Sequence, residues 1–108
     1  MSAQIQQTFL YEITLFDRYK HKSMWTEREH NIQKEHIAYL DSLTHNGVLQ
    51  MAGIIEQGLE NHKGMIILET ESYEQAKKIA TSDPSVLNGM MSVQIRPINI
   101  YFRKKKGN

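Results

Sequence analysis

The order in which strand and helix patterns follow one another most limits how this chain can fold. Strand-forming stretches cover residues 8–16, 48–55, 64–70 and 90–102. Helical stretches, each opened by a capping sequence, cover residues 26–45 and 71–80. The sequence therefore predicts the order strand, helix, strand, strand, helix, strand.

That order predicts an α+β fold of the ferredoxin-like βαββαβ type, an antiparallel sheet with both helices on one face. The 108 residues form one domain, with a core of about residues 8–102. Pro97 predicts an edge position or a bulge for the last strand. Apolar residues occupy both alternating sets of that strand, so we expect an exposed apolar sheet face. Two such faces would pack together in a homodimer, giving a dimeric α+β barrel.

Composition excludes several classes of function. The net charge is only +1, and the central strands lack an aromatic RNA-binding signature, so we expect no nucleic-acid partner. There is no cysteine, which excludes disulfides and thiol catalysis. The first residues do not form a secretory signal, and no apolar run approaches the roughly 18 residues of a membrane span. We therefore expect a soluble cytoplasmic protein with no membrane partner.

A histidine interrupts the apolar stripe of the first helix. At about 100° per residue, Ile32, Tyr39 and Leu43 fall on one side of this helix, and His36 lies in the middle of that side. A buried imidazole needs a hydrogen-bond partner. His36 is therefore either a core histidine with such a partner or a histidine that faces a cleft and transfers protons near neutral pH.

Asp83 is the aspartate with the most informative context. It precedes Pro84, and Asp-Pro is a frequent helix start in which the aspartate is the N-cap. The sequence predicts a short helical turn over residues 84–89, closed by Asn88-Gly89. An N-cap carboxylate can also face a neighbouring cleft, so capping and a functional role are compatible.

The other candidates for a site are less specific. Tyr11 and Tyr39 could line a cleft, and Arg96 could attract an anionic substrate group, although core packing and surface charge are commoner roles for such residues. His30, His36 and His45 do not share a helix face, and a metal site needs three or four converging ligands, so we expect no metal. No phosphate-binding glycine loop is present, and no cofactor is predicted.

Two stretches carry a resemblance to a known family. "KEHIAYLDSLTHNGVLQMAG" and "ATSDPSVLNGMMSVQIRPI" resemble the two signatures of the YCII-related (YciI-like) family, in the right order and over roughly residues 8–102. The resemblance implies a ferredoxin-like dimeric α+β barrel. It also implies that His36 and Asp83, which match the histidine and aspartate of that family, form an active-site dyad.

The resemblance leaves two functions open. One is a small acid–base enzyme of the lyase, isomerase or dehydrochlorinase type, since one branch of the family resembles a dehydrochlorinase acting on a chlorinated hydroxyquinol. The other is a non-catalytic module that binds a small ligand or a partner in the dimer cleft. The chain departs from the family pattern at Ile54, at Gln33-Lys34 and in a longer segment after the first strand, which contains Tyr19, His21 and Trp25. The substrate therefore does not follow from the motifs.

Overall fold

Four strands form one antiparallel sheet in the computed structural model, which describes residues 6–56 and 62–104. In chain order they are β1 (Gln7–Leu15), β2 (Leu49–Ile55), β3 (Lys63–Thr70) and β4 (Met91–Pro97). Their order across the sheet is β2-β3-β1-β4. All three pairings are antiparallel. The predicted ferredoxin-like α+β fold is confirmed.

Three helices complete the described fold, and their starts follow the predicted caps. They are α1 (Glu27–His45), α2 (Tyr73–Thr81) and α3 (Pro84–Leu87). Thr26 caps α1 and Ser72 caps α2. Gly47 follows α1 with φ of +79°, a left-handed conformation that glycine adopts at low cost. Between β1 and α1 the chain makes two 3₁₀ turns, Asp17–Tyr19 and Lys22–Met24.

The core lies between the sheet and the two longer helices. Phe9, Tyr11 and Ile13 of β1 are buried on the helix-facing side, because alternate side chains of a strand point to the same face. Ala76 and Ala80 of α2 are fully buried, and their small side chains allow the helix to approach the sheet closely. Each fully buried large apolar side chain contributes on the order of 2 kcal/mol.

The last strand is shorter than predicted. It ends at Pro97, at the edge of the sheet, and residues 98–104 have no regular structure. Met91, Val93 and Ile95 pack against the core. The outward positions of β4 are Ser92, Gln94 and Arg96, so the expectation that both faces of this strand are apolar was wrong.

No helix in the described ranges is long and apolar enough to cross a membrane. Residues 1–5, which contribute to the prediction that there is no secretory signal, lie outside the described residues.

Candidate active site

His36 lies on the buried side of α1, as the helical periodicity predicts. The buried residues of this helix are Glu29, Ile32, His36 and Leu43, which recur every three or four positions. Only 5% of the His36 surface is exposed. An imidazole in this position requires a polar partner, since burial without one costs about 1–3 kcal/mol.

Asp83 supplies a carboxylate at the start of α3. Pro84 occupies the first helical position, where the missing N–H of proline costs nothing. Oδ1 of Asp83 accepts hydrogen bonds from the backbone N–H of Ser85 at 3.0 Å and from its hydroxyl at 2.8 Å. The residue has no exposed surface. The sequence predicts the cap, but the role of Ser85 was not predicted, although its position two residues after Asp83 is itself a signal for such a turn.

The structure brings His36 and Asp83 into contact across 47 residues of sequence. Nδ1 of His36 lies 2.8 Å from Oδ1 and 2.9 Å from Oδ2 of the carboxylate. The contact forms because the start of α3 packs against the middle of α1. It satisfies both the buried imidazole and the buried carboxyl.

Asp83 is held in its ionised form. Burial raises the pKa of this carboxyl, but hydrogen bonds from His36 and Ser85 and the charge on His36 outweigh burial and hold the pKa below its ordinary value. An ionised carboxylate only accepts hydrogen bonds, so Nδ1 of His36 must carry the proton that it donates. In a neutral imidazole, Nε2 then has the free lone pair.

Tyr11 lies beneath this pair rather than in the cleft. Its hydroxyl donates to Oδ2 of Asp83 at 3.0 Å, and the residue is fully buried in β1. Burial, followed by the charge of Asp83 and the hydrogen bond to it, raises the pKa of Tyr11. The tyrosine therefore stays protonated and acts as a neutral donor to the carboxylate.

A cavity of about 540 Å³ opens beside His36. Its walls come from the end of β1, the segment of 3₁₀ turns, α1, the facing ends of β2 and β3, and the start of β4. The described residues that line it are Ile13, Leu15, Tyr19, Lys20, His21, Lys22, Ser23, Trp25, Gln33, His36, Ile54, His62, Gly64 and Met91. Nε2 of His36 has no hydrogen-bond partner among the described residues. Because the histidine lines the cavity, Nε2 is the ring nitrogen available to a ligand.

Two predicted binding residues do not line this cavity. The Tyr39 hydroxyl donates to the backbone oxygen of Ile79 at 2.7 Å. Arg96 projects from the opposite face of the sheet, where it forms an ion pair with Glu12. Like Tyr11, both side chains have partners within the protein, so the geometry gives their predicted role in substrate binding no support.

Most of the cavity wall was not predicted from the sequence. The segment of 3₁₀ turns stands out in the sequence for its length and for Tyr19, His21 and Trp25, and its lysines are a further visible signal. Gln33, one helical turn before His36, and Gly64 were missed because periodicity does not show which side chains border a space. Within residues 6–56 and 62–104, no three His, Asp or Glu side chains converge as a metal site requires.

Solved structures of similar fold include an enzyme whose name states its reaction. The chain is similar to the 5-chloro-2-hydroxyhydroquinone dehydrochlorinase TftG from Burkholderia phenoliruptrix AC1100, which was solved in complex with 2,5-dihydroxybenzoquinone. The two share 19% sequence identity and align with a TM-score of 0.62. The alignment covers 93% of this chain and 95% of that one. It is also similar to the uncharacterized protein TM1266 from Thermotoga maritima, with 12% identity and a TM-score of 0.55 over 88% of this chain and 100% of that one. At these identities the likeness establishes the fold.

Comparison with curated proteins found no match. A family model for the YCII-related domain, however, matches residues 12–99, which include β1 from its sixth residue, all three helices and the whole of β4. The match covers most of the chain and confirms the resemblance seen in its two motifs. The chain belongs to the YCII-related domain family.

Proposed function

We propose that this protein is an acid–base enzyme that acts on a small molecule bound in the cavity beside His36. The observation that carries the proposal is the placement of one imidazole between a buried carboxylate and an open cavity. Nδ1 is fixed by Asp83, and Nε2 is left for a ligand. The fold similarity to a dehydrochlorinase adds support for this class of chemistry.

In the proposed mechanism, Nε2 of His36 removes a proton from the bound molecule. The imidazolium that forms is stabilised by Asp83, whose charge is 2.8 Å from Nδ1. In an elimination, the electron pair released by proton removal forms the new double bond, and the leaving group departs with its own bonding pair. In an isomerisation, the proton returns from Nε2 to another atom of the substrate.

Three further contacts keep the carboxylate in place. Ser85 donates twice to Oδ1, and Tyr11 donates once to Oδ2. We assign these two side chains to positioning, since neither lines the cavity. A fixed carboxylate holds the imidazole in one tautomer and one orientation, which is the preorganisation that acid–base catalysis requires.

The proposal is tested by proton exchange and by elimination. The first assay incubates small cyclic ketones and hydroxyquinones in D₂O and follows loss of C–H signals by NMR. The second supplies 5-chloro-2-hydroxyhydroquinone and measures chloride release. Replacing His36 by Asn removes the proton-accepting nitrogen, and we expect a rate loss of about 10²- to 10⁴-fold. The Asp83→Asn variant should retain more activity than His36→Asn.

The alternative, a non-catalytic ligand-binding module, makes a different prediction in the same experiment. Probes would then shift the NMR signals of cavity residues, but the wild type would cause neither exchange nor chloride release. A histidine and an aspartate beyond hydrogen-bond reach would favour the binding module, but Nδ1 of His36 and Oδ1 of Asp83 are 2.8 Å apart. The acid–base function is therefore preferred.

We also propose that the protein forms a homodimer through the uncovered face of its sheet. Neighbouring strands place Leu10, Met51 and Ile67 together on that face. Met51 is 56% exposed, which is unusual for a large apolar side chain within a sheet. Ile67 is already only 7% exposed, so burial against a second copy would mainly remove Met51 from water.

A further inference from the structure

The segment between β1 and α1 gives the cavity a positively charged wall. Lys20 and Lys22, both in this segment, line the cavity. No aspartate or glutamate among the described residues lines it. Asp83 is not part of the wall, because it lies behind His36 and its charge is engaged by hydrogen bonds there.

Among the described residues, Lys20 forms an ion pair with one acidic side chain, and that pair is weak. Nζ of Lys20 lies 3.1 Å from Oδ1 of Asp17, whose side chain is 97% exposed. An ion pair with so exposed a carboxylate contributes about 0–1 kcal/mol, because water and salt screen it. Lys20 can therefore exchange this contact for one with a ligand.

The rest of the segment is organised before any ligand binds. The indole N–H of Trp25 donates to the backbone oxygen of Tyr19 at 2.7 Å. Nζ of Lys22 lies 5.5 Å from the centroid of the Trp25 ring, within the range of a cation–π contact. The lysine and the aromatic ring thus occupy fixed positions on the same wall.

A second observation indicates a polar ligand group. Oε1 of Gln33 is buried and has no hydrogen-bond partner among the described residues, and Gln33 lines the cavity. Leaving such an acceptor without a partner costs about 1–3 kcal/mol. A rotation of the Gln33 amide towards the cavity would let this oxygen accept a hydrogen bond from a ligand hydroxyl.

The remaining walls favour an apolar body. Ile13, Leu15, Ile54 and Met91 supply aliphatic surface, and Gly64, which has no side chain, lets Ile13 lie against the backbone of β3. A volume of about 540 Å³ lies within the range of small-ligand sites. One ring with two or three substituents fits such a space.

We infer that the cavity selects a small organic anion with an apolar body, with Lys20 and Lys22 binding its negative group and Gln33 accepting a hydrogen bond from a ligand hydroxyl. The inference rests on the proposed function in that it names the substrate class of the same site. The negative group is a carboxylate or an ionised ring hydroxyl. Both lysines would act as specificity-determining residues.

Matched ring compounds and the single tryptophan of the chain allow a direct test. Trp25 lies in the cavity wall, so its fluorescence reports binding. 4-Hydroxybenzoate carries a carboxylate, 4-hydroxybenzamide is its neutral counterpart, and 4-nitrophenol at pH 8.5 supplies an ionised ring hydroxyl. We expect 4-hydroxybenzoate to bind at least about tenfold more tightly than the amide, and this ratio to fall as salt rises. Tighter binding of the phenolate than of the carboxylate would identify the ring hydroxyl as the anionic group.

Substitutions show which residues cause the preference for the anion. Lys20→Gln combined with Lys22→Gln should abolish the preference for the anion and leave the binding of the amide unchanged. Lys77→Gln, an exposed lysine on α2, is the matched control and should retain the full preference. Gln33→Met should remove the advantage of 4-hydroxybenzoate over benzoate. Circular dichroism verifies that each variant folds.

Three results would overturn the inference. They are equal affinity for carboxylate and amide in the wild type, a preference that survives the double lysine substitution, and no binding of any anionic probe up to 10 mM. The His36→Asn variant separates this inference from the proposed function. If the His36→Asn variant still prefers anions, and the wild type shows neither exchange nor elimination, only the proposed enzymatic function is refuted. Exchange confined to neutral compounds would refute only the anion site.

Discussion

Asp83 combines complete burial with hydrogen bonds to three residues, and its charge determines what happens when the solution is acidified. An unfolded aspartate titrates near pH 3.9, and the folded pKa of Asp83 lies below its ordinary value. Between the two values the unfolded chain binds more protons, so the free energy of unfolding rises with pH. This contribution is complete above about pH 4 and is lost as the pH falls through the folded pKa.

We predict that Asp83→Asn lowers the free energy of unfolding at pH 7 by about 1–3 kcal/mol, because a charge-assisted buried hydrogen bond becomes a neutral one. The difference from the wild type should shrink below pH 4. Urea denaturation from pH 2.5 to 7 measures both effects. Asp41→Asn, an exposed position on α1, provides the control. Equal sensitivity of the two variants to pH would contradict the assigned role of Asp83.

The individual residues of the site were more predictable from the sequence than the contacts between them. The polar interruption of an apolar stripe marked His36, and Asp-Pro marked Asp83, since both signals are local. The hydrogen bond from Tyr11 could not be predicted in the same way. It depends on β1 lying beneath the start of α3, which local periodicity does not encode.

Among the elements, α1 carries the site, and its N-terminus is fixed by a capping box. The backbone N–H of Thr26 donates to Oε1 of Glu29 at 2.7 Å, and the Thr26 hydroxyl donates to the same oxygen at 2.6 Å. The hydroxyl and backbone hydrogen bonds from Thr26, aided by Arg28, lower the pKa of Glu29 to about 2. Because the folded pKa of Glu29 is depressed, the ionised side chain stabilises the fold above the ordinary glutamate pKa. This stabilisation is lost as the pH falls towards 2.

We predict that Glu29→Gln destabilises the fold at pH 7 and that the difference from the wild type decreases steadily between about pH 4.3 and pH 2. Thr26→Ala should cost about 1 kcal/mol, the usual effect of losing an N-cap. Thermal unfolding followed by circular dichroism measures both. Glu27→Gln, in the same first turn but outside the capping box, is the matched control. If the stability difference between Glu29→Gln and the wild type were constant across this pH range, an ionised Glu29 in the capping box would be excluded.

Strand β3 contributes a glycine whose missing side chain shapes the cavity. Gly64 pairs with Ile13 across the sheet, and a Cβ added at Gly64 would lie 2.7 Å from Cγ1 of Ile13. We predict that Gly64→Ala costs about 1–3 kcal/mol, as overpacking does, and weakens the binding of cavity ligands. Gly53→Ala, in the adjacent strand, has no atom within 4 Å of an added Cβ and should bind cavity ligands as tightly as the wild type. Denaturation and Trp25 fluorescence titration compare the two variants, and equal behaviour would contradict a close approach at Gly64.

Element order and element boundaries were not equally predictable. The caps at Thr26 and Ser72 fixed the starts of both long helices, because capping is a local interaction. The end of β4 was misplaced, since apolar residues continue to Phe102 while hydrogen bonding to β1 ends near Pro97. Pairing depends on the partner strand, which the residues of β4 alone do not reveal.

At the scale of the whole molecule, the fold leaves one face of the sheet without helices. The sequence predicts that β4 contributes an apolar face there, but the outward side chains of that strand are polar. The apolar patch instead comes from β1, β2 and β3, where Leu10, Met51 and Ile67 are neighbours in the register. The strand order was needed to identify this patch, because its members are separated by up to 57 residues of sequence (10 to 67).

The proposed dimer places that patch between two sheets, and a charge introduced there should separate the copies. We predict that the wild type elutes with twice the chain mass of 12.6 kDa and that its denaturation midpoint rises with protein concentration. Met51→Lys should shift the protein towards the monomer, because an ammonium buried against an apolar surface loses its hydration. Met24→Lys is the control, since Met24 is 67% exposed in a 3₁₀ turn outside the sheet. Size-exclusion chromatography with light scattering measures the masses, and a monomeric wild type would show that this face serves another purpose.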